Sequence, residues 1–274
     1  MSKKQISTVE FSQHLRYIDS HCHLDMSDYQ PDLSEVIKRA KDAGIKHIIS
    51  IGINLQSSFQ AIALAKSHPE IFATIGVHPN DVDSISKSTF EHLENLYLKN
   101  PSLVKGFGEI GLDYYREHTS QTLQREHFAN QLGLAEKLHL PVIVHNREAN
   151  NDCLEILKEF TCEAGCLMHC FGSDYAFAKK VIDRGMYISL SGVVTFKNAP
   201  EIHQVAKNIP LDKLLIETDG PFLAPVPFRG KRNEPSYIPY IAAQVAELRG
   251  ISLEEVSEAI YQNTVKFFNL PKTS

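Results

Sequence analysis

Two histidines one residue apart, His21 and His23, stand in the run Asp19-Ser20-His21-Cys22-His23-Leu24-Asp25, which closes the apolar stretch Leu15 to Ile18. On an extended strand alternate side chains share a face, so both imidazoles point one way and Cys22 points the other. Neutral imidazole is the commonest metal ligand, and two on one face can grip one ion. In a chain with 13 histidines the same spacing also arises by chance. The weight of the pair therefore depends on where other ligating residue types fall.

Those residue types fall at the ends of apolar runs. The strand-like runs are Leu15 to His21, Ile45 to Ile53, Ile71 to His78, Leu103 to Ile110, Pro141 to His145, Cys166 to Cys170, Met186 to Leu190 and Lys213 to Asp219. At or beside their ends stand His21 and His23, His78, Glu109, His145, His169 and Asp219. Any one of these taken alone reads more readily as a cap or turn residue. Their repetition points to a shared site.

Amphipathic stretches with apolar residues at helical spacing separate the runs: Asp32 to Ala43, Gln56 to Ser67, Thr89 to Leu98, Gln121 to Leu138, Asn151 to Phe160, Tyr175 to Arg184 and Pro200 to Lys207. Tyr237 to Leu248 and Leu253 to Phe268 follow, divided by the stop signal Arg249-Gly250. Eight strand–helix units with continuous apolar strands predict an α/β fold, a closed parallel (β/α)8 TIM barrel. One domain is expected over residues 1–274, with 1–15 as a short N-terminal extension. An open doubly wound sheet would need a glycine-rich phosphate turn after its first strand, where His-Cys-His stands instead.

Barrel chemistry sits at the C-terminal ends of the strands. There His21, His23, Glu109, His145, His169 and Asp219 supply four imidazoles and two carboxylates. That exceeds one tetrahedral zinc and suits two divalent ions sharing a bridging group. Glu109 is the expected bridge, and Asp219 is expected both to bind an ion and to accept a proton from attacking water. Asp19 and Glu217, each two residues before a ligand, turn to the same interior face one layer deeper and are expected to brace it. A structural ion pair with Lys105 is the competing role for either acid. The mixed ligands suit zinc, manganese or iron, while phosphodiester cleavage often runs on magnesium.

With 43% hydrophobic and 22% charged residues, the composition is that of a soluble globular protein. A formal net charge of −5 excludes a uniformly basic nucleic-acid binder and leaves room only for a local cationic patch. Arg116, Arg147, Lys197, Arg229, Lys231 and Arg232 follow strands and would gather on one rim, with Tyr114, Tyr115, Phe171, Phe222 and Phe228 among them. Such a rim can hold phosphates and stack bases, or can be ordinary solvated loops over packed aromatics. The five cysteines are odd in number and predict reduced thiols. Cys162, Cys166 and Cys170 match none of the common iron–sulfur spacings. The first ten residues lack the apolar stretch of a signal peptide, and no later segment approaches a membrane span, so the cytoplasm is expected.

Six segments taken together, Asp19 to Asp25, Gly76-Val77-His78-Pro79, Gly108-Glu109-Ile110-Gly111-Leu112-Asp113-Tyr114-Tyr115, Pro141 to His145, Met168-His169-Cys170-Phe171-Gly172 and Glu217-Thr218-Asp219-Gly220-Pro221-Phe222-Leu223, resemble the TatD family of metal-dependent deoxyribonucleases, within the amidohydrolase superfamily. The resemblance runs in order over nearly the whole chain after about residue 16. It implies metal-dependent hydrolysis of DNA phosphodiesters, often as a 3′ to 5′ exonuclease, with the six residues above as ligands. By the same resemblance His78 lies near the scissile phosphate, Arg147 is the basic residue beyond the fifth strand, and Arg229 to Pro235 form the eighth-strand loop. Asn146-Arg147-Glu148 stands where many relatives have Ser-Arg-Asp, which leaves the role of Asn146 open.

The expected catalytic set is Asp219, Glu109 and His78, with His78, Arg147 and Arg229 on the substrate. The expected partner is DNA, as single strands or 3′ ends, and the expected state is a monomer. An alternative on the same site is amide or ester hydrolysis, such as deacylation of D-aminoacyl-tRNA. Superfamily relatives that cleave cyclic amides usually carry a lysine at the fourth-strand end, and Glu109 there favours the nuclease branch. A barrel that merely binds would be expected to lack a ligand, and none is missing.

Overall fold

Eight parallel strands, each hydrogen-bonded to the next in sequence order, form the frame. They are β1 (Tyr17–Cys22), β2 (Ile45–Ser50), β3 (Ile71–Ile75), β4 (Val104–Asp113), β5 (Val142–Arg147), β6 (Cys166–Met168), β7 (Tyr187–Leu190) and β8 (Leu214–Ile216). The computed structural model describes residues 14–86, 88–116 and 118–272. The last strand returns to the first: Ser20 Oγ donates to the Ile216 carbonyl at 2.9 Å, and the Asp219 and His23 N–H groups donate to the His21 and Gly220 carbonyls at 2.9 and 2.8 Å. The sheet is thus the predicted (β/α)8 barrel, and no helix among the described residues is long and apolar enough to cross a membrane.

Helices α1 (Leu33–Asp42), α2 (Leu55–Ser67), α3 (Thr89–Lys99), α4 (Gln121–Lys137), α5 (Asn150–Leu157), α6 (Tyr175–Asp183), α7 (Pro200–Asn208), α8 (Ile238–Arg249) and α9 (Leu253–Phe268) surround it. Short polar side chains start several of them. Asn54 accepts the Ser57 N–H in a reciprocal capping box, and Ser120, Asp174 and Ser252 accept comparable bonds for α4, α6 and α9. Leu15, assigned by sequence to the N-terminal extension, packs in the core; residues 1–13 of that extension lie outside the described residues.

The core has two layers. One lies between strands and helices, and the other fills the barrel interior. Ile18, Ile49, Phe72, Ile143, Leu167, Tyr187 and Leu215, one from each strand but β4, form the inner layer with Tyr261, Val265, Phe267, Phe268 and Leu270. The end of α9 therefore closes the strand-start end of the barrel with apolar rings, and polar side chains collect at the other end.

Strand ends differ from the sequence reading for local reasons. β4 continues past Ile110 and β5 past His145, because Gly111 lets the two strands stay paired. Gly111 has φ +145°, and a Cβ there would lie 2.0 Å from the His145 carbonyl oxygen, so only glycine fits. β6 and β8 stop early, at Met168 and Ile216. Beyond them Cys170 and Asp219 adopt φ of +41° and +55°, which ends the extended backbone.

Candidate metal centre

Glu109 lies 3% exposed, at the heart of the polar end, with its two oxygens turned to different imidazoles. Oε2 is 3.4 Å from His21 Nε2 and 3.7 Å from His23 Nε2. Those nitrogens are 3.3 Å apart and lie 3.7 and 3.5 Å from Asp219 Oδ1. Oε1 is 2.6 Å from His145 Nδ1 and 2.8 Å from His169 Nε2, which are 3.3 Å apart. The structure thus brings all six predicted ligands together, in two pockets that share one carboxylate.

Donor spacing tests whether these pockets suit ions. Ligands placed 2.0–2.1 Å from a tetrahedral zinc sit about 3.4 Å from one another. The spacings of 3.3 to 3.7 Å that His21 and His23 make with each other, with Asp219 and with Glu109 come close to that. In each of the groups His21–His23–Asp219 and Glu109–His145–His169 the candidate donor atoms lie within 4.8 Å of one another. Buried charge at this density needs a counter-charge, which divalent cations supply. The residues fit such ions.

The acids in the pockets are held ionised. Burial alone would push the Glu109 carboxyl up, but His169 and His78, with hydrogen bonds from His145 and His169, hold it well below the usual carboxylate range. Asp219 is likewise lowered against burial by His23 and His21. His169 goes well above the usual range despite burial, because Glu109 and Glu217 face it.

Behind the ligands the two bracing acids differ. Glu217 Oε1 accepts the Cys170 N–H at 2.8 Å and lies 3.3 Å from His169 Nδ1, while its Oε2 accepts from the Ser189 hydroxyl. Asp19 instead accepts from the Thr218 hydroxyl at 2.5 Å, the Thr218 N–H at 2.9 Å and the His21 N–H at 3.3 Å. It therefore holds the β1 and β8 backbones rather than an imidazole, and burial pushes its carboxyl up to about 7. Lys105 pairs with neither acid; its Nζ lies over the Phe72 ring at 5.6 Å, in the apolar half of the barrel.

His78 follows β3 and begins a short 3-10 turn, Pro79–Ser84. Its Nδ1 accepts the Asn80 N–H at 3.1 Å, so in the neutral ring the proton sits on Nε2, 3.4 Å from Glu109 Oε1. Burial lowers its pKa and favours that neutral ring. Asp113 was missed as a site residue. It is 1% exposed, and Oδ2 lies 3.3 Å from His145 Nε2. Its spacing of two and four residues from Gly111 and Glu109 on β4 was the available signal.

The rim is only partly free. Arg147 stacks over Tyr115 at 3.8 Å, and Arg229 over Phe196 at 4.0 Å. Arg116, Lys197 and Lys231 are exposed. Arg232, counted by sequence among the phosphate-facing cations, is instead engaged by Asp32 at 2.7 and 2.8 Å. Tyr115 and Phe222 are 57% and 50% exposed, and Phe222 lies 6.3 Å ring to ring from His23. Phe171 packs on Phe177, Phe228 stacks on Tyr237, and Tyr114 donates to Asp152. All five cysteines are free, and Cys170 lies at the opposite end of β6 from Cys162 and Cys166.

Comparison with known proteins agrees with this geometry. The profile of the family described as TatD related DNase matches residues 18–269. The chain is similar to the uncharacterized metal-dependent hydrolase YabD of Bacillus subtilis, 41% identical over 253 residues, covering 92% of this chain and 98% of that one. It is 36% identical to the uncharacterized metal-dependent hydrolase YcfH of Escherichia coli K12, over 92% of this chain and 96% of the other. Among solved structures, YJJV, a TatD homolog from Escherichia coli K12, superposes with a TM-score of 0.90 at 30% identity, over 94% of this chain and 99% of that one.

Proposed function

We propose that this chain, which belongs to the TatD-related DNase family of metal-dependent hydrolases, cleaves DNA phosphodiester bonds with two divalent ions, as a 3′ to 5′ exonuclease on single strands or 3′ ends. The observation that carries the reading is Glu109, with one oxygen turned to each of two imidazole pairs. In this reading His21, His23, Asp219 and Glu109 would hold one ion, and His145, His169 and Glu109 would hold the other. When bound, such ions supply Lewis-acid charge and an activated water.

The chain's own groups do the rest. Asp219, kept ionised by His23 and His21, accepts the proton of the attacking water. His78 Nε2–H donates to a non-bridging oxygen of the scissile phosphate. Arg147 and Arg229 hold neighbouring phosphates, and exposed Tyr115 and Phe222 stack bases on either side of the mouth. Zinc, manganese and magnesium are the candidate ions. Free thiols fit a reducing compartment, and the reading places a monomer in the cytoplasm.

Elemental analysis of untreated protein, with digestion of single- and double-stranded DNA labelled at either end, tests this. Loss of a 3′ label first, abolished by chelation, is expected. Intact DNA alongside release of amino acid from D-aminoacyl-tRNA would overturn it.

A further inference from the structure

At the strand-start end of the barrel, away from the polar mouth, a cavity of about 370 Å³ lies beside the start of β6. Two of the five free cysteines, Cys162 and Cys166, line it together, with Arg184, Lys266, Tyr187 and Phe267 around them. Phe267 belongs to the inner apolar layer, so the cavity backs onto the sealed end of the barrel. It is separate from the metal centre, whose nearest ligand in the chain, His169, follows the far end of β6.

Local folding sets the two thiols side by side. Glu136 on α4 accepts the N–H groups of Thr161 and Cys162 at 2.6 and 3.1 Å, and the Thr161 hydroxyl at 2.9 Å. Cys162 is held there at φ +45°, and its carbonyl accepts the Gly165 N–H at 2.8 Å, closing a turn over Glu163 and Ala164. The turn brings Cys166 back beside it, and the Cys166 thiol donates a hydrogen bond to the Cys162 sulfur. Cys162 is half-buried, whereas Cys166 is 5% exposed. That shared hydrogen bond, helped by the Arg184 charge, holds the Cys162 thiol below its ordinary range against burial and the nearby Glu136. The same bond and burial push Cys166 well above it.

Thiols that merely fill space need neither solvent access nor a common hydrogen bond. An accessible thiol that ionises readily, with a second thiol behind it, is instead the pairing that attacks and then resolves a disulfide. We propose that Cys162 and Cys166 form a modification site that low-molecular-weight disulfides convert to an intramolecular disulfide, with Cys162 reacting first and Cys166 resolving. The Cys162 thiolate attacks one sulfur of the reagent, whose S–S bond breaks as one thiolate leaves. Cys166 then attacks the Cys162 sulfur, and the second thiolate departs. The two protons given up by the cysteines end on the two departing thiolates, so the protein loses two hydrogens and the reagent is reduced to two thiols. Arg184 and Lys266, against the single acid Glu163 on the cavity wall, favour a reagent that carries carboxylates. The site stands whether or not the chain cuts DNA.

The test treats the folded full-length protein with oxidised glutathione, alkylates the remaining thiols after unfolding, and maps the peptides by mass spectrometry. Wild type is expected to fall from five alkylated cysteines to three, with Cys162 joined to Cys166 and full recovery on adding reduced thiol. Cys166→Ala is expected to stop at one glutathione held on Cys162, and Cys162→Ala to keep Cys166 alkylated. Five alkylated cysteines in treated wild type overturn the proposal, as does a bond from Cys166 to its buried neighbour Cys153. A glutathione adduct on Cys166 ahead of Cys162 overturns the order of attack. Protein that cross-links equally fast before and after unfolding in urea shows that the fold does not build the site, and overturns it as well.

Discussion

Glu109 Oε1 lies 2.6 Å from His145 Nδ1, so the shared carboxylate is already seated against the pocket that His145 serves. Replacing Glu109 with Gln keeps the shape but removes the charge common to both pockets and turns an NH2 toward imidazoles. Loss of an outer group that orients a ligand costs 10- to 100-fold, so loss of this ligand should cost at least about 100-fold in kcat/KM. Steady-state nuclease assays on a variant with unchanged circular dichroism check this, and near-normal turnover would contradict it.

Arg147 holds its guanidinium 3.8 Å over the Tyr115 ring at the rim. Arg147→Ala should raise KM with little change in kcat. It should also flatten the dependence of log affinity on log salt by about 0.7 for a single-stranded ligand, the slope expected for one phosphate contact. Binding measured by anisotropy across a salt series reads the slope directly, and an unaltered slope rules out the contact.

Tyr115 and Phe222 are exposed aromatics in loops that follow β4 and β8. Alanine at either position should weaken single-stranded DNA binding by about 1–3 kcal/mol, the range for one stacked base. Thermal stability should hardly move, since little apolar surface is uncovered. Equal binding by parent and variants, measured in a Glu109→Gln background, would remove stacking from the account.

Gly111 touches His145 through the backbone, with no room for a Cβ. Gly111→Ala should destabilise the protein by about 3 kcal/mol or more, because a forbidden conformation and a clash combine. Urea unfolding measures the loss, and metal uptake by the His145 pocket should fall with it. A variant as stable as the parent would show that β4 and β5 can separate freely.

Asp32 sits in the fork of Arg232, whose hydrogen bonds, helped by Arg39, hold its carboxyl at about 2 against an ordinary 3.8. The folded value lies below the unfolded one, so the pair's contribution is present above about pH 4 and is lost as pH falls toward 2. The site is open to solvent, so the effect is small and weakens with salt. Asp32→Asn should therefore lose less stability than the parent between pH 4 and 2 in urea unfolding series at low salt. Identical declines would assign acid sensitivity elsewhere.

The barrel and the gathering of six candidate ligands at one of its ends were legible because strands alternate faces and apolar runs ended in imidazoles and carboxylates. Spacing at the end of one strand placed His21 beside His23, and fold order placed His145 and His169 at the ends of adjacent strands. Contacts made through side-chain hydrogen bonds across long separations were not legible. Arg232 looked like a phosphate ligand until Asp32, 200 residues away, was seen to occupy it. Asp113 escaped notice because β4 outran its apolar run by three residues, from Ile110 to Asp113. Alternation gives the face of Asp19 but says nothing of the Thr218 hydroxyl that meets it there.

The aromatic seal that Phe267 and Phe268 set beneath the inner layer makes the barrel a cul-de-sac. On the proposed reading a strand could not be drawn through such a shape, and whatever is cut off would leave by the mouth through which the strand came in. On the proposed nuclease reading, exchange at that mouth would limit how fast successive cuts follow one another. Bulky or stiff ends, slow to enter and slow to clear, should be trimmed more slowly than short supple ones of the same chemistry.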